Sequence, residues 1–363
     1  MTFHIKPALY IRVALILHAV ILSLFLLHVS KTITIPLFFA FLIAILLYPV
    51  SNWLEKHRLS RGLAAAIAVT LFVLLVGAFV YFFSMQLVSF SKNLPQLENR
   101  FGQVLQHTQD WIHHRYHIDN SAQMNYINKS ADSIAGTLAS SIGTTFIGLG
   151  ELLILIVFFF IFTFFILFHR AMLLRFLLSF FSEQQRCQVN DAVFTIRKVM
   201  NGYVLGLLTE MALLILLIFT PLYLLGVRYA LLMAAFAGVL NLIPYLGIYT
   251  ALAIGMLITL ANGTGSQALE LAIVFIVAHT LDANILLPRI VGGRVKMNAF
   301  ITLLAMLAGR LVWGIPGMFL FIPLAAIIRI ISERVKGLEP WAILMGEEKR
   351  QAWKQVPAPR SDA

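Results

Sequence analysis

Cysteine is almost absent: Cys187 is the only one in the 363-residue chain, which excludes an intrachain disulfide framework and any cysteine-rich metal site. Charge is scarce as well. Only 12% of residues are Asp, Glu, Lys or Arg, against 60% that are hydrophobic. With a mean hydropathy of +0.89, the chain has too little polar surface to cover a water-soluble globule. Catalytic signatures are also missing: there is no Walker A loop, no His-Glu-x-x-His, no Gly-x-Ser-x-Gly and no dinucleotide fingerprint. Neither an enzyme nor a cofactor is expected, and nothing in the chain would hydrolyse ATP.

What is there instead is a series of uncharged runs long enough to cross a hydrocarbon core, which takes about 20 apolar residues in a helix. Residues 13 to 30, 32 to 54, 62 to 91 and 152 to 168 are four of them, residues 199 to 227 carry only Glu210, and residues 229 to 269 carry no Lys, Arg, Asp or Glu. Backbone groups in lipid are satisfied within a helix or a closed barrel, so the runs predict an all-α polytopic membrane protein. The formal net charge of +11 would point a soluble protein toward nucleic acid. Here the Lys and Arg sit in short connections beside the spans, where they set orientation, and no nucleic-acid partner is expected.

Lys56, Arg58 and Arg61 follow the second run and Arg170, Arg175, Arg186, Arg197 and Lys198 follow the fourth, which places those loops and both termini in the cytoplasm. The segment 89 to 147 balances four basic against four acidic residues and is expected outside. Leu94, Leu97, Phe101, Val104, Leu105, Thr108, Trp111 and Ile112 give it one amphipathic helical stripe. His107, His113, His114 and His117 read as solvated surface histidines, and Gly136, Ser140, Thr144 and Gly148 form a small-residue ridge.

Farther on, the run 229 to 261 is interrupted at Pro244-Tyr245-Leu246-Gly247, and the run 299 to 332 at Gly314-Ile315-Pro316-Gly317. Each run is either one kinked crossing or a hairpin that enters and returns. The basic loop 288 to 298, with Arg289, Arg294 and Lys296, follows the charge rule only if both are hairpins. The expected fold is therefore about six full transmembrane helices plus two re-entrant or broken hairpins, eight hydrophobic segments in all, with a small helical extramembrane part. Its expected regions are 1–88, a three-helix membrane region; 89–147, the periplasmic segment; 148–335, the transport region; and 336–363, a cytoplasmic tail.

Ionisable residues at membrane depth are rare and tend to face a cavity or a partner. Glu210, Asp282 and Arg310 are the candidates for ion coupling, with H⁺ or Na⁺ as the ion; Glu151 and Glu270 lie nearer helix ends. Asp282 and Asn284 precede Pro288, which is expected to close that helix and free backbone carbonyls beside them; His279 lies one turn earlier. Helices broken at membrane depth expose polar backbone that is tolerated where it lines a cavity or meets a ligand. Asn241, Pro244, Tyr245, Gly247, Asn284, Gly314, Pro316 and Gly317 are accordingly the candidate contacts for a small polar solute. No metal site is expected.

Three motifs in this order carry a family resemblance over about residues 10 to 345. They are Asn241-Leu242-Ile243-Pro244-Tyr245-Leu246-Gly247; Asp282-Ala283-Asn284 leading to Pro288-Arg289-Ile290-Val291-Gly292; and Gly314-Ile315-Pro316-Gly317-Met318-Phe319-Leu320 with Pro323. The chain resembles the autoinducer-2 exporter family of bacterial membrane proteins. The resemblance implies a multi-pass inner-membrane transporter, a homo-oligomer, whose relatives are linked to autoinducer-2 export and to Na⁺/H⁺ antiport. It departs from the family pattern where Lys296-Met297-Asn298-Ala299 replaces a His-Pro pair and where Asp-x-Asn replaces Glu-Gly-Asn. Two further readings stand beside export of a solute: a Na⁺/H⁺ antiporter without an organic substrate, and a non-transporting scaffold.

Overall fold

The computed structural model describes residues 9–91, 156–241, 246–262, 264–295, 297–335 and 337–346. Most of the segment 89 to 147, with its amphipathic stripe, its histidines and its small-residue ridge, lies outside the described residues, as do Glu151, Pro244, Tyr245 and the tail beyond 346. Among the described residues the chain is helical, and the only β-pairing is a single bridge between Met297 and Gly346. Six helices there are long and apolar enough to span a bilayer, and shorter apolar helices accompany them. Large apolar side chains stand exposed along them, among them Leu15, Leu22, Leu75, Phe82 and Leu216. Patches of this kind on so apolar a chain face lipid.

The helices are α1 (Leu9–Val29), α2 (Lys31–Lys56), α3 (Arg61–Ser91), α4 (Ile156–Ser179), α5 (Glu183–Leu224), α6 (Ala230–Leu240), α7 (Leu246–Asn262), α8 (Gly265–Leu281), α9 (Ala299–Trp313), α10 (Ile315–Ser332) and α11 (Glu339–Met345). The chain divides into two compact units. One comprises Met1–Gly62, Phe162–Gly206 and Arg289–Ala363, and the other Leu63–Ile161 and Leu207–Pro288. At about 1.5 Å per residue the 42 residues of α5 reach roughly 60 Å, twice the hydrocarbon thickness, which suits a polar first half and an apolar second half.

Both interrupted runs reverse direction. In the first unit, a Cβ added at Gly309 would lie 2.9 Å from the Cβ of Phe321, whereas twelve residues along a straight helix span about 18 Å. Gly309 and Gly317 face each other so closely that a Cβ on either would strike the other's carbonyl. The reversal occurs at Gly314, whose φ of +67° and ψ of −139° suit glycine. Pro316 follows in the first turn of α10, where its missing N–H is no loss. The tip is tied down: Trp313 Nε1 donates to the Leu27 carbonyl at 2.9 Å, and His28 Nδ1 meets the Val312 carbonyl at 2.7 Å.

In the second unit, α6 and α7 form the other hairpin. Thr259 Oγ1 approaches Met233 Sδ at 3.9 Å across 26 residues of sequence, and a Cβ on Gly247 would collide with the Leu240 carbonyl. These arms pack with α5 and α8 around Leu214, Ile218, Leu222, Met233, Ile258, Leu271 and Phe275, all buried. Thr264 caps α8 by a reciprocal capping box with Gln267.

One local expectation changes. Helix α8 does not close before Pro288: the helical path continues to Val295 through two π-wound turns, Asp282–Leu286 and Pro288–Gly292. Proline supplies no N–H to the carbonyl four residues back, and the winding widens instead of ending, with Leu287 N–H donating to the Asp282 carbonyl. The basic loop 288 to 298 is thus mostly helix, and only a short connection precedes Asn298, whose Oδ1 accepts the Phe300 N–H at 2.8 Å and caps α9.

Candidate functional site

Helical spacing buries the two intramembrane acids. On α5, Glu210 begins a stripe of every fourth residue, Glu210, Leu214, Ile218 and Leu222, and all four are buried. On α8, Leu271, Phe275, Ala278 and Asp282 make the matching stripe at three-four spacing, likewise buried. Each acid therefore points where its helix packs and not into lipid. Glu210 is 1% exposed and Asp282 3%.

Asn241 joins them. It sits at the C-terminal end of α6, its backbone N–H bonded to the Ala237 carbonyl at 2.9 Å, where the broken segment begins. Its Nδ2 donates to Glu210 Oε1 at 2.6 Å and to Asp282 Oδ2 at 3.1 Å. The two hydrogens of one amide are thus divided between two carboxylates from two helices. The other oxygen of Asp282, Oδ1, is buried with no hydrogen-bond partner among the described residues. One turn earlier on the same helix, His279 Nδ1 is also buried and unpartnered there, while its Nε2 lies 3.5 Å from the Tyr249 hydroxyl. The π-winding starts at Asp282 itself, a feature common at functional sites.

Two buried carboxylates that share a single amide leave a charge to be balanced. In a low-dielectric surrounding, two neighbouring acids do not both stay ionised unless a positive charge joins them. The arrangement can hold one proton or one small cation, and Asp282 Oδ1, buried without a partner among the described residues, is an acceptor open to it.

The other residues singled out from sequence do not join this cluster. Asn284 is exposed and its amide is used within its own helix, donating to the Thr280 carbonyl at 2.8 Å. Arg310 belongs to the other unit, in the last turn of α9, with its side chain exposed. Gly314, Pro316 and Gly317 shape the second hairpin, and Gly247 the first. Tyr249 was not anticipated. Its signal is weak, one exposed aromatic just past the break, and only its distance to His279 brings it forward.

A family model described as "AI-2E family transporter" matches residues 15–337. YrrI of Bacillus subtilis (strain 168), named as a candidate transport protein, is 28% identical over 314 residues, covering 84% of this chain and 86% of its own. YhhT of Escherichia coli (strain K12), named in the same way, is 25% identical over 88% of this chain and 89% of its own. The AI-2 transport protein TqsA of Escherichia coli (strain K12) is 24% identical over 94% of this chain and 97% of its own.

Proposed function

This chain belongs to the AI-2E family of transporters, and from that premise we propose that it is a secondary transporter of the bacterial inner membrane coupled through Glu210, Asn241 and Asp282. That it is a multi-pass membrane transporter follows from the family and the apolar helices. In the proposed reading, the carboxylate pair takes up the coupling ion, H⁺ or Na⁺, and the solute is a small polar molecule such as autoinducer-2. The observation that carries the coupling assignment is the sharing of the Asn241 amide between two acids that have almost no contact with solvent.

Asn241 also gives a route from ion to solute. It directly follows the last residue of α6, so the group that bridges the acids lies next in sequence to the Pro244-Tyr245-Leu246-Gly247 interruption. Filling or emptying the ion site changes what Asn241 must bond to, and with it the break that follows. Solute contacts are proposed at residues 241–247 and 314–317, and Asn284, whose amide bonds within its own helix, is not among them. Both termini are proposed to be cytoplasmic, on the distribution of Lys and Arg.

The test uses purified protein in sealed liposomes with imposed pH or Na⁺ gradients and a panel of small polar metabolites. Gradient-driven uptake of one solute, lost in Glu210→Gln and in Asp282→Asn, is the expected result. Ion exchange at full rate with no solute present would make the protein a cation/proton antiporter instead. Wild-type coupling in both variants would remove these residues from the mechanism.

A further inference from the structure

A second site lies within the first unit. Helices α2, α4, α5 and α10 leave between them a groove of about 520 Å³, within the range of small-molecule sites. Its walls are apolar, with Phe41, Ile45, Leu167, Leu174, Ile196 and Ile327 among them, and two guanidinium groups, of Arg170 and Arg197, stand in it. Both stack on one ring: Arg170 Cζ is 5.0 Å and Arg197 Cζ 4.3 Å from the centre of Tyr48.

The charges there are not balanced. Arg170 pairs through Nη2 with Glu55, which Arg61 also approaches, at 3.9 Å. Its Nη1 is buried with no acceptor among the described residues. Arg197 has no ion pair there at all. The nearest acid along its own helix, Asp191, is already taken by Arg334 at 2.9 and 3.1 Å. An apolar groove with an uncompensated planar cation, placed beside a buried N–H that lacks an acceptor, is complementary to an amphiphile with an anionic, multi-oxygen head.

We propose that this groove binds an anionic membrane phospholipid, with an acyl chain along α2 and α4 and the phosphate on Arg170 and Arg197. A zwitterionic lipid has a cationic group that two arginines disfavour, and a free anion would leave the apolar walls unfilled. The position suits a lipid that lies in the leaflet beside the protein: Arg170 follows the apolar run of α4, and Tyr48 and Glu55 lie toward the end of α2. On the orientation proposed above this is the inner leaflet.

Native mass spectrometry of the delipidated, detergent-solubilised protein tests it, with phosphatidylglycerol and phosphatidylcholine added in turn. Wild type is expected to retain phosphatidylglycerol at least several-fold better. Arg197→Gln, which strands no carboxylate, should reduce that retention roughly fivefold, the effect expected of one basic residue at an anionic lipid. Leu177→Trp, at the exposed rim of the groove, should reduce it too, and Arg186→Gln, at the exposed start of α5 outside the groove, should not. Equal retention of the two lipids by wild type overturns the proposal whatever the variants do. So does unchanged retention in Arg197→Gln. Displacement of phosphatidylglycerol by inorganic phosphate would show a free-anion site, and an oligomer that takes up no lipid would show that a second copy covers the groove; either result overturns the lipid assignment.

Discussion

At the scale of single residues, Asn241 bridges the acids through its side-chain amide. Asn241→Ala removes both donors and leaves two buried carboxylates facing each other; the loss of paired partners in a buried site costs about 1–3 kcal/mol. We expect a lower unfolding temperature in detergent and a fall of tenfold or more in gradient-driven flux. Asn284→Ala serves as the contrast, because that amide is exposed and bonds only within its own helix; its flux should stay within twofold of wild type. The burial of Glu210 and Asp282 is legible from sequence, since charged residues among apolar neighbours stand out and their stripes follow helical spacing. The pairing itself is not. Asn241 lies 31 residues from Glu210 and 41 from Asp282, and no periodicity encodes a contact of that range. Read singly, Asp282 looks isolated; in the fold it shares an amide with a second acid.

At the scale of elements, the two hairpins depend on glycine at close crossings. Gly317→Val or Gly309→Val places a branched side chain against a carbonyl of the opposite arm, and overpacking of this kind costs about 1–3 kcal/mol or more. Thermal stability in detergent should drop measurably for either, with flux lost. Gly293→Ala, where nothing lies within 4 Å of the added Cβ, should leave both unchanged. Proline and glycine mark both interruptions plainly in the sequence, but an interruption does not specify an angle. The choice between a kink and a reversal rests there on the charge of the loop 288 to 298, and in the fold on Gly309 meeting Phe321. The same signal misleads at Pro288, where a proline reads as a helix end and the chain passes through it by π-winding. The flanking residues remain in helix, and sequence alone does not say whether a missing N–H will end a helix or widen it.

At the scale of the whole molecule, orientation and coupling are the two claims to be tested. On the proposed orientation, Gly265 is outside and Gly293 inside. Both are exposed with open space around them, which suits them to labelling. With Cys187 replaced by Ser, a membrane-impermeant thiol reagent added to intact spheroplasts should label Gly265→Cys and spare Gly293→Cys; the reverse pattern would invert the topology. Coupling is the central claim, and solute exchange separates it from binding. In liposomes with solute on both sides and no ion gradient, counterflow requires the solute site and its movement alone. With an imposed gradient, net accumulation also requires the ion site. The most direct measurement is both assays on the double variant Glu210→Gln/Asp282→Asn. The account predicts that counterflow survives while gradient-driven accumulation disappears, and accumulation at the wild-type level would contradict it.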